Sequence, residues 1–219
     1  MVKQIFFAKK RPDLTFEQYK KYYLEKHVPL VKKAFPEIRR YVVNFALQRG
    51  KETPYDAVTE ICWDDVETII KTAKSGTFNE AIVADEKNFS ARLGHVLLTE
   101  ETIQKGGDVD GRNLVKQVIM LRRKPGMTFD QYKKHYLERH APLVRETLPE
   151  IKKYIVNFAL QRGKETLFDS VTAIYFDDVE TVKSAFKSDR AKNIIEPDEF
   201  RFLDRPAAKV ILTEETIHK

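Results

Sequence analysis

The 219-residue sequence has one cysteine, Cys62. A single thiol excludes an intrachain disulfide framework and a Cys-based zinc site, and it suits a reducing compartment. Glycine and proline are scarce, at 8 and 9, which argues against a collagenous, linker-like or disordered chain. No apolar run approaches the roughly 20 residues of a membrane-spanning helix. The opening MVKQIFFAKKRPDLT has too short an apolar stretch for a secretory signal. Basic residues stand where a small-residue cleavage site belongs. These absences predict a soluble cytoplasmic protein without membrane contact. Glycine-rich phosphate loops, H-E-x-x-H and G-x-S-x-G are also missing. Nucleotide use, a metal site and serine-hydrolase chemistry are therefore not expected.

The formal net charge is +6. A basic balance raises the question of nucleic acid, but Lys and Arg are interspersed with Asp and Glu. Lys20, Lys21, Lys26, Lys32 and Lys33 fall where a helix faces water. The pattern predicts a solvated helix face and no nucleic-acid partner. The residual positive field would attract a small acidic ligand.

What the sequence does have is a repeat. Shifted by 113, it overlays itself: TFEQYKKYYLEKHVPLV (15–31) meets TFDQYKKHYLERHAPLV (128–144). PEIRRYVVNFALQRGKET (36–53) meets PEIKKYIVNFALQRGKET (149–166). VLLTEETI (96–103) meets VILTEETI (210–217) after one extra residue near Pro206. Residues 74–92 and 187–206 match weakly. The join KGGDVDGRN reads as a flexible connector. This sets a first repeat at 1–105, a linker at 106–113 and a second repeat at 114–219. Two copies are too few for a solenoid. They suit a fused pseudo-dimer, in which the linker makes the encounter intramolecular. Further oligomerisation stays open.

Within one copy, 3–9 reads as a strand. Thr15 with Gln18, and Thr128 with Gln131, form capping boxes that open a helix. Phe16, Tyr19, Tyr23 and His27 share one helical stripe. Pro29 is expected to kink or end that helix. Residues 40–47 and 55–63 read as strands, Asp64 or Asp65 caps a second helix, and 95–99 closes the copy. The order β-α-β-β-α-β is ferredoxin-like. In the third strand Ala57, Thr59, Ile61 and Trp63 should pack on the helices. Asp56, Val58, Glu60 and Cys62 should face the other way. If the two sheets pack face to face, Asp56 and Glu60 line a cavity between them.

The opening K-Q strand, KKRPDLTFEQYKKYYLEKHVPLV, RRYVVNFAL, YDAVTEICWDD and the terminal VLLTEE together resemble the EthD family, within the dimeric α+β barrel superfamily. The resemblance covers nearly all of both copies. It implies an α+β fold in which two ferredoxin-like units form a barrel, here within one chain. Superfamily relatives include cofactor-free isomerases, polyketide cyclases and dehydratases, monooxygenases acting on quinol-type substrates, and haem-binding members.

His27 and His140 lead the candidates, because imidazole exchanges its proton near neutral pH and the family carries a histidine there. The bland alternative is a half-buried histidine tying a helix end to a strand. Asp56 and Asp169 open the third strand and would fix the imidazole tautomer, or else hold a turn. Glu60 (counterpart Ala173) would gain acid–base character if buried, or else pair with a lysine. Asn44 and Asn157 sit mid-strand, where Asn is disfavoured. They would hold a ligand oxygen or bond a nearby loop. Tyr19, Tyr23 and Tyr41, with Tyr132, Tyr136 and Tyr154, would wall a planar ligand or simply fill the core. The identical QRGKET loops suggest a pocket mouth, or a young duplication. The expectation is a small enzyme without cofactor or metal, using His-centred acid–base chemistry on an aromatic, polyketide-like or lactone substrate. Its partner is then a small hydrophobic or aromatic molecule. The alternatives are a non-catalytic binder of hydrophobic ligands, or haem held by His27 or His140.

Overall fold

The first strand alternates buried with half-buried positions, whereas the next two strands in sequence are buried along nearly their whole length. The computed structural model describes residues 1–47, 52–76, 78–91, 95–109, 112–160 and 165–218. Strand β1 (Val2–Ala8) buries every second residue. The helix α1 (Phe16–Tyr22) follows, opened by Thr15, whose hydroxyl accepts from the Gln18 amide while the Gln18 side chain accepts from the Thr15 amide. This capping box is repeated at Thr128 and Gln131. Thr15→Ala is expected to cost about 1 kcal/mol of unfolding free energy, read from the urea midpoint.

The helix does not end at Pro29. It passes through a widened turn, Tyr23–His27, into α2 (Val28–Ala34), with Pro29 near the start of α2. The Val28 amide reaches back five residues to the Tyr23 carbonyl. The wider turn moves the preceding carbonyls off the proline ring, so the chain continues where a regular α-helix would clash. The second repeat does the same across α5 (Phe129–His135), Tyr136–His140 and α6 (Ala141–Thr147).

Strands β2 (Arg40–Ala46) and β3 (Ala57–Trp63) come next. Helix α3 (Val66–Ala73) is capped by Asp65, which accepts from the Thr68 amide. A second widened turn, Phe78–Ile82, leads into the short helix α4 (Val83–Glu86). Strand β4 (His95–Lys105) returns to the sheet. The antiparallel order is β4-β1-β3-β2. The second repeat gives β6 (Lys153–Ala159), α7 (Val179–Lys187) and α8 (Glu196–Phe202). Its strands β8 (Lys209–His218), β5 (Val115–Leu121), β7 (Ser170–Phe176) and β6 pair in that order. Two ferredoxin-like α+β repeats are thus present. The chain divides into compact units Met1–Thr99 with Glu215–Lys219, and Glu100–Glu214.

The expected register of β3 holds. Ala57, Ile61 and Trp63 join Tyr19, Tyr23, Phe45 and Phe89 in one core between sheet and helices. Residues 110 and 111 of the connector lie outside the described residues, and its neighbours there are packed. Val109 is buried against Ile155, Ala173 and Tyr175, and Arg112 pairs with Asp177. Among the described residues no helix is long and apolar enough to cross a membrane.

Candidate functional site

In the first unit a cavity of about 280 Å³ lies between the sheet and its own helices. Its floor is the helix-facing set of strand residues, including Gln4, Phe6, Tyr41, Thr59, Ile61 and Trp63. Its roof comes from the α1–α2 helix (Tyr23, His27, Val31, Phe35), from α3, and from Ile82, Glu86 and Phe89 around α4. The sequence placed a cavity on the opposite face of the sheet. His27 looks into this one because it stands on the buried stripe of the helix, as Tyr23 does.

His27 is 4% exposed. Its Nδ1 lies 2.8 Å from Asp85 Oδ2. A carboxylate only accepts, so Nδ1 carries the proton in this bond and Nε2 keeps its lone pair. Among the described residues Nε2 has no hydrogen-bond partner. Tyr22 Oη donates to the other oxygen, Asp85 Oδ1, at 2.7 Å. Burial pushes the imidazole pKa down, against the upward pull of Asp85. The rings of Tyr23 and Phe89 pack on His27 at 5.0 and 4.8 Å. The adjacent carboxyl, Glu86, lines the same cavity. Burial, and then the charge of Asp85, raises its pKa to about 7. Two titratable groups whose burial favours their uncharged forms therefore share one largely apolar space.

The second repeat keeps the dyad. His140 Nδ1 lies 3.0 Å from Asp198 Oδ2, and His135, standing where the first repeat has Tyr22, takes Oδ1 at 3.0 Å. Arg139 adds an ion pair to Asp198. Burial lowers the pKa of His140 as well. Glu199, the counterpart of Glu86, is paired with Arg205. Ala8, Ala73 and Ser90 of the first wall are replaced by Leu121, Phe186 and Leu203, while Phe6, Phe35 and Trp63 become Ile119, Leu148 and Phe176. Any corresponding space has a different outline.

Other expected site residues are placed elsewhere. Asp56 does not meet His27. It accepts from the Lys10 amide at 3.0 Å, and Asp169 accepts from the Arg123 amide at 2.7 Å. Both fasten the segment after the first strand of their repeat, because they stand just before the third strand, beside that segment. Glu60 is on the helix-free face of its sheet. It pairs with Lys3 at 2.8 Å and accepts from Asn44 Nδ2 at 3.0 Å, so it cannot complete an acid–base pair with His27. Ala173 packs with Ile155 and Tyr175. Asn44 and Asn157 donate across the sheet to the Val58 and Val171 carbonyls. They face away from the histidines, so Asn44 cannot hold an oxygen beside His27.

Tyr23 and Tyr41 do line the cavity. Tyr23 Oη lies 2.8 Å from Thr59 Oγ1, and burial raises its pKa to about 12. Tyr136 and Tyr154 repeat this pair, with Tyr154 Oη donating to Tyr136 Oη at 2.9 Å. Tyr19 and Tyr132 are core residues, and Tyr132 Oη lies 2.6 Å from Ser170 Oγ. Most of the two QRGKET loops, at 48–51 and 161–164, lies outside the described residues. Asp85 and Glu86 escaped the sequence reading. The signal was there: under the shift of 113, Asp85, Glu86 and Phe89 meet Asp198, Glu199 and Phe202 inside the stretch that otherwise drifts.

The EthD domain model matches this sequence twice, over residues 11–92 and 124–206. The chain belongs to the EthD family. Both dyad histidines and both partner aspartates of this EthD chain fall inside the matched stretches. No curated protein matches the sequence. Among solved structures, an anthrone oxidase-like protein is 11% identical with a TM-score of 0.72, over 98% of this chain and 90% of that one. A mutant chlorite dismutase from Candidatus Nitrospira defluvii is 12% identical with a TM-score of 0.59, over 98% of this chain and 91% of that one. These likenesses show the fold, which is α+β with ferredoxin-like repeats of the dimeric α+β barrel class.

Proposed function

We propose that the first EthD repeat binds a flat, largely apolar molecule with an enolisable carbonyl, and that His27 moves a proton at the carbon beside it without a cofactor. The observation that supports this most is the His27–Asp85 dyad. It leaves a neutral imidazole with a bare Nε2 on the wall of an apolar cavity. Nε2 takes the proton, and Asp85 stabilises the imidazolium that forms. Glu86, protonated below about pH 7, donates a hydrogen bond to the enolate oxygen. Returning the proton to another position gives isomerisation. Giving it instead to a β-hydroxyl, which leaves as water as the C–O bond breaks, gives dehydration. Both outcomes use the same first step.

The anthrone oxidase-like relative agrees with a polycyclic aromatic ligand of this kind. Filled at the packing density of about 0.75 found in protein interiors, the cavity holds roughly 210 Å³ of ligand, the bulk of a two- or three-ring skeleton. It does not fit haem: a porphyrin is larger than a space of about 280 Å³, so no step is drawn through an iron centre.

The test is deuterium exchange at the α-carbon of 2-tetralone in D2O, followed by proton NMR. The expected result is exchange well above the buffer rate. Exchange at the buffer rate, together with calorimetric binding, would replace this reading by that of a non-catalytic hydrophobic-ligand binder.

A further inference from the structure

The chain contains a single tryptophan, Trp63. It ends β3, is 2% exposed, and lines the same cavity as His27. Among the described residues its indole Nε1–H has no hydrogen-bond partner. A buried tryptophan normally spends this donor on an acceptor, and leaving it unmade is costly. The orphan donor therefore calls for a reason, and its location on the cavity wall supplies one.

The distance between the two polar points follows from the fold. Tyr23 stands over Thr59, to which it is hydrogen-bonded, and Phe35 packs on Trp63 with ring centroids 6.4 Å apart. The α1–α2 helix thus runs along β3. His27 precedes Phe35 by eight residues, about 12 Å at 1.5 Å per residue. Thr59 and Trp63 are four strand residues apart, about 13 Å at 3.3 Å per residue. His27 and Trp63 consequently stand at opposite ends of the cavity, on the order of 10 Å apart. Between them stand Val31, Ile61, Ile69 and Phe35, with Gln4 and Tyr41 beside Ile61 in the sheet.

We infer that Trp63 is a specificity-determining residue, whose Nε1–H receives a hydrogen-bond acceptor carried on the far end of a rigid, flat ligand about two to three rings long. This rests on the cavity of the proposed function and deepens it, because it names the second polar group that the ligand must carry. A ligand polar only at the His27 end leaves the indole donor unpaired. One that carries a carbonyl or hydroxyl oxygen at both ends satisfies both ends of the site. The second repeat has Phe176 at the same place, so the reading applies to the first repeat alone. It also shows that a phenylalanine is accepted at this strand position.

The test uses two ligands that differ in one atom: 6-acetyl-2-naphthol, which presents a carbonyl oxygen, and 6-isopropenyl-2-naphthol, which presents a methylene in its place. Affinities are measured by calorimetry on the wild-type chain and on Trp63→Phe. The preference for the acetyl compound is expected to fall by about two- to tenfold in the variant, the size of one neutral hydrogen bond. An independent readout needs no variant. The single indole N–H proton resonance of the wild-type chain should move downfield with the acetyl ligand and not with the isopropenyl one. If the preference is the same in both proteins, or if the indole proton responds equally to both ligands, the role of Trp63 is overturned while the cavity reading stands. If neither compound binds the wild-type chain, both fall together.

Discussion

Replacing His27 and His140 together by alanine is expected to slow deuterium exchange into 2-tetralone by about 10² to 10⁴-fold, the usual worth of a positioned acid–base group, while the fold persists. The double variant is needed because each repeat holds the dyad, and the two single variants then divide the activity between the repeats. Below the depressed pKa of His27 the imidazole is already protonated and cannot act as base. Above about 7 Glu86 loses the proton that it lends to the enolate oxygen. Exchange should therefore peak on the acid side of neutrality and decline on either flank. Glu86→Gln keeps a donor at that place and should remove the alkaline flank. An alanine pair that exchanges tetralone as fast as the wild-type chain would end the proton-transfer reading.

Glu86→Gln should also make the protein more stable at alkaline pH. The carboxyl moves from its ordinary value of 4.5 to about 7 on folding, chiefly because burial disfavours its charge. With its folded value raised, Glu86 contributes no penalty below about 4.5, and stability is lost as the pH climbs through 7. At 1.36 kcal/mol per unit the loss is at most about 3.4 kcal/mol at pH 8. The half-buried position of the group makes about 2 kcal/mol the more realistic figure. Gln cannot ionise. The variant should unfold some 4–8 °C higher than the wild-type chain at pH 8 and show no gain at pH 4. His27 and His140 work with the opposite sign: their depressed values supply stability that is present above 6.5 and lost as the pH falls. Comparing variant with wild type at each pH removes their contribution. A calorimetric midpoint at pH 8 that is equal or lower in Glu86→Gln would contradict the placement of this carboxyl.

Much of the fold was legible because it rests on local rules. The capping boxes at Thr15 and Thr128 mark their helices to the residue. The alternation along Ala57–Trp63 assigned the helix-facing side correctly. Of the tyrosines named together from their spacing, Tyr23 and Tyr41 line the cavity and Tyr19 is core. The partners of the histidine were another matter. Which carboxylate meets His27 depends on how the α4 segment folds back over the α1–α2 helix, and residues 74–92 carry no clear periodicity to show it. Asp56 looked suitable in sequence, yet the Lys10 amide claims it at the start of β3. The pleat of the strand turns Glu60 to the helix-free face, where Lys3 holds it. The helix continues past Pro29, where one of the two expectations was an end, for a local reason: the widened turn at Tyr23–His27 accommodates the ring and leaves the histidine at the point where the helix is least regular. Such turns often accompany functional positions.

The most direct test is a crystal structure of the chain with 2-tetralone bound. The account predicts the ketone between the helices and sheet of the first repeat, with its α-carbon about 3–3.5 Å from His27 Nε2, a reactive approach, and with Nδ1 still on Asp85. A ketone bound away from this cavity, or a His27 ring turned so that Nε2 faces Asp85, would contradict it.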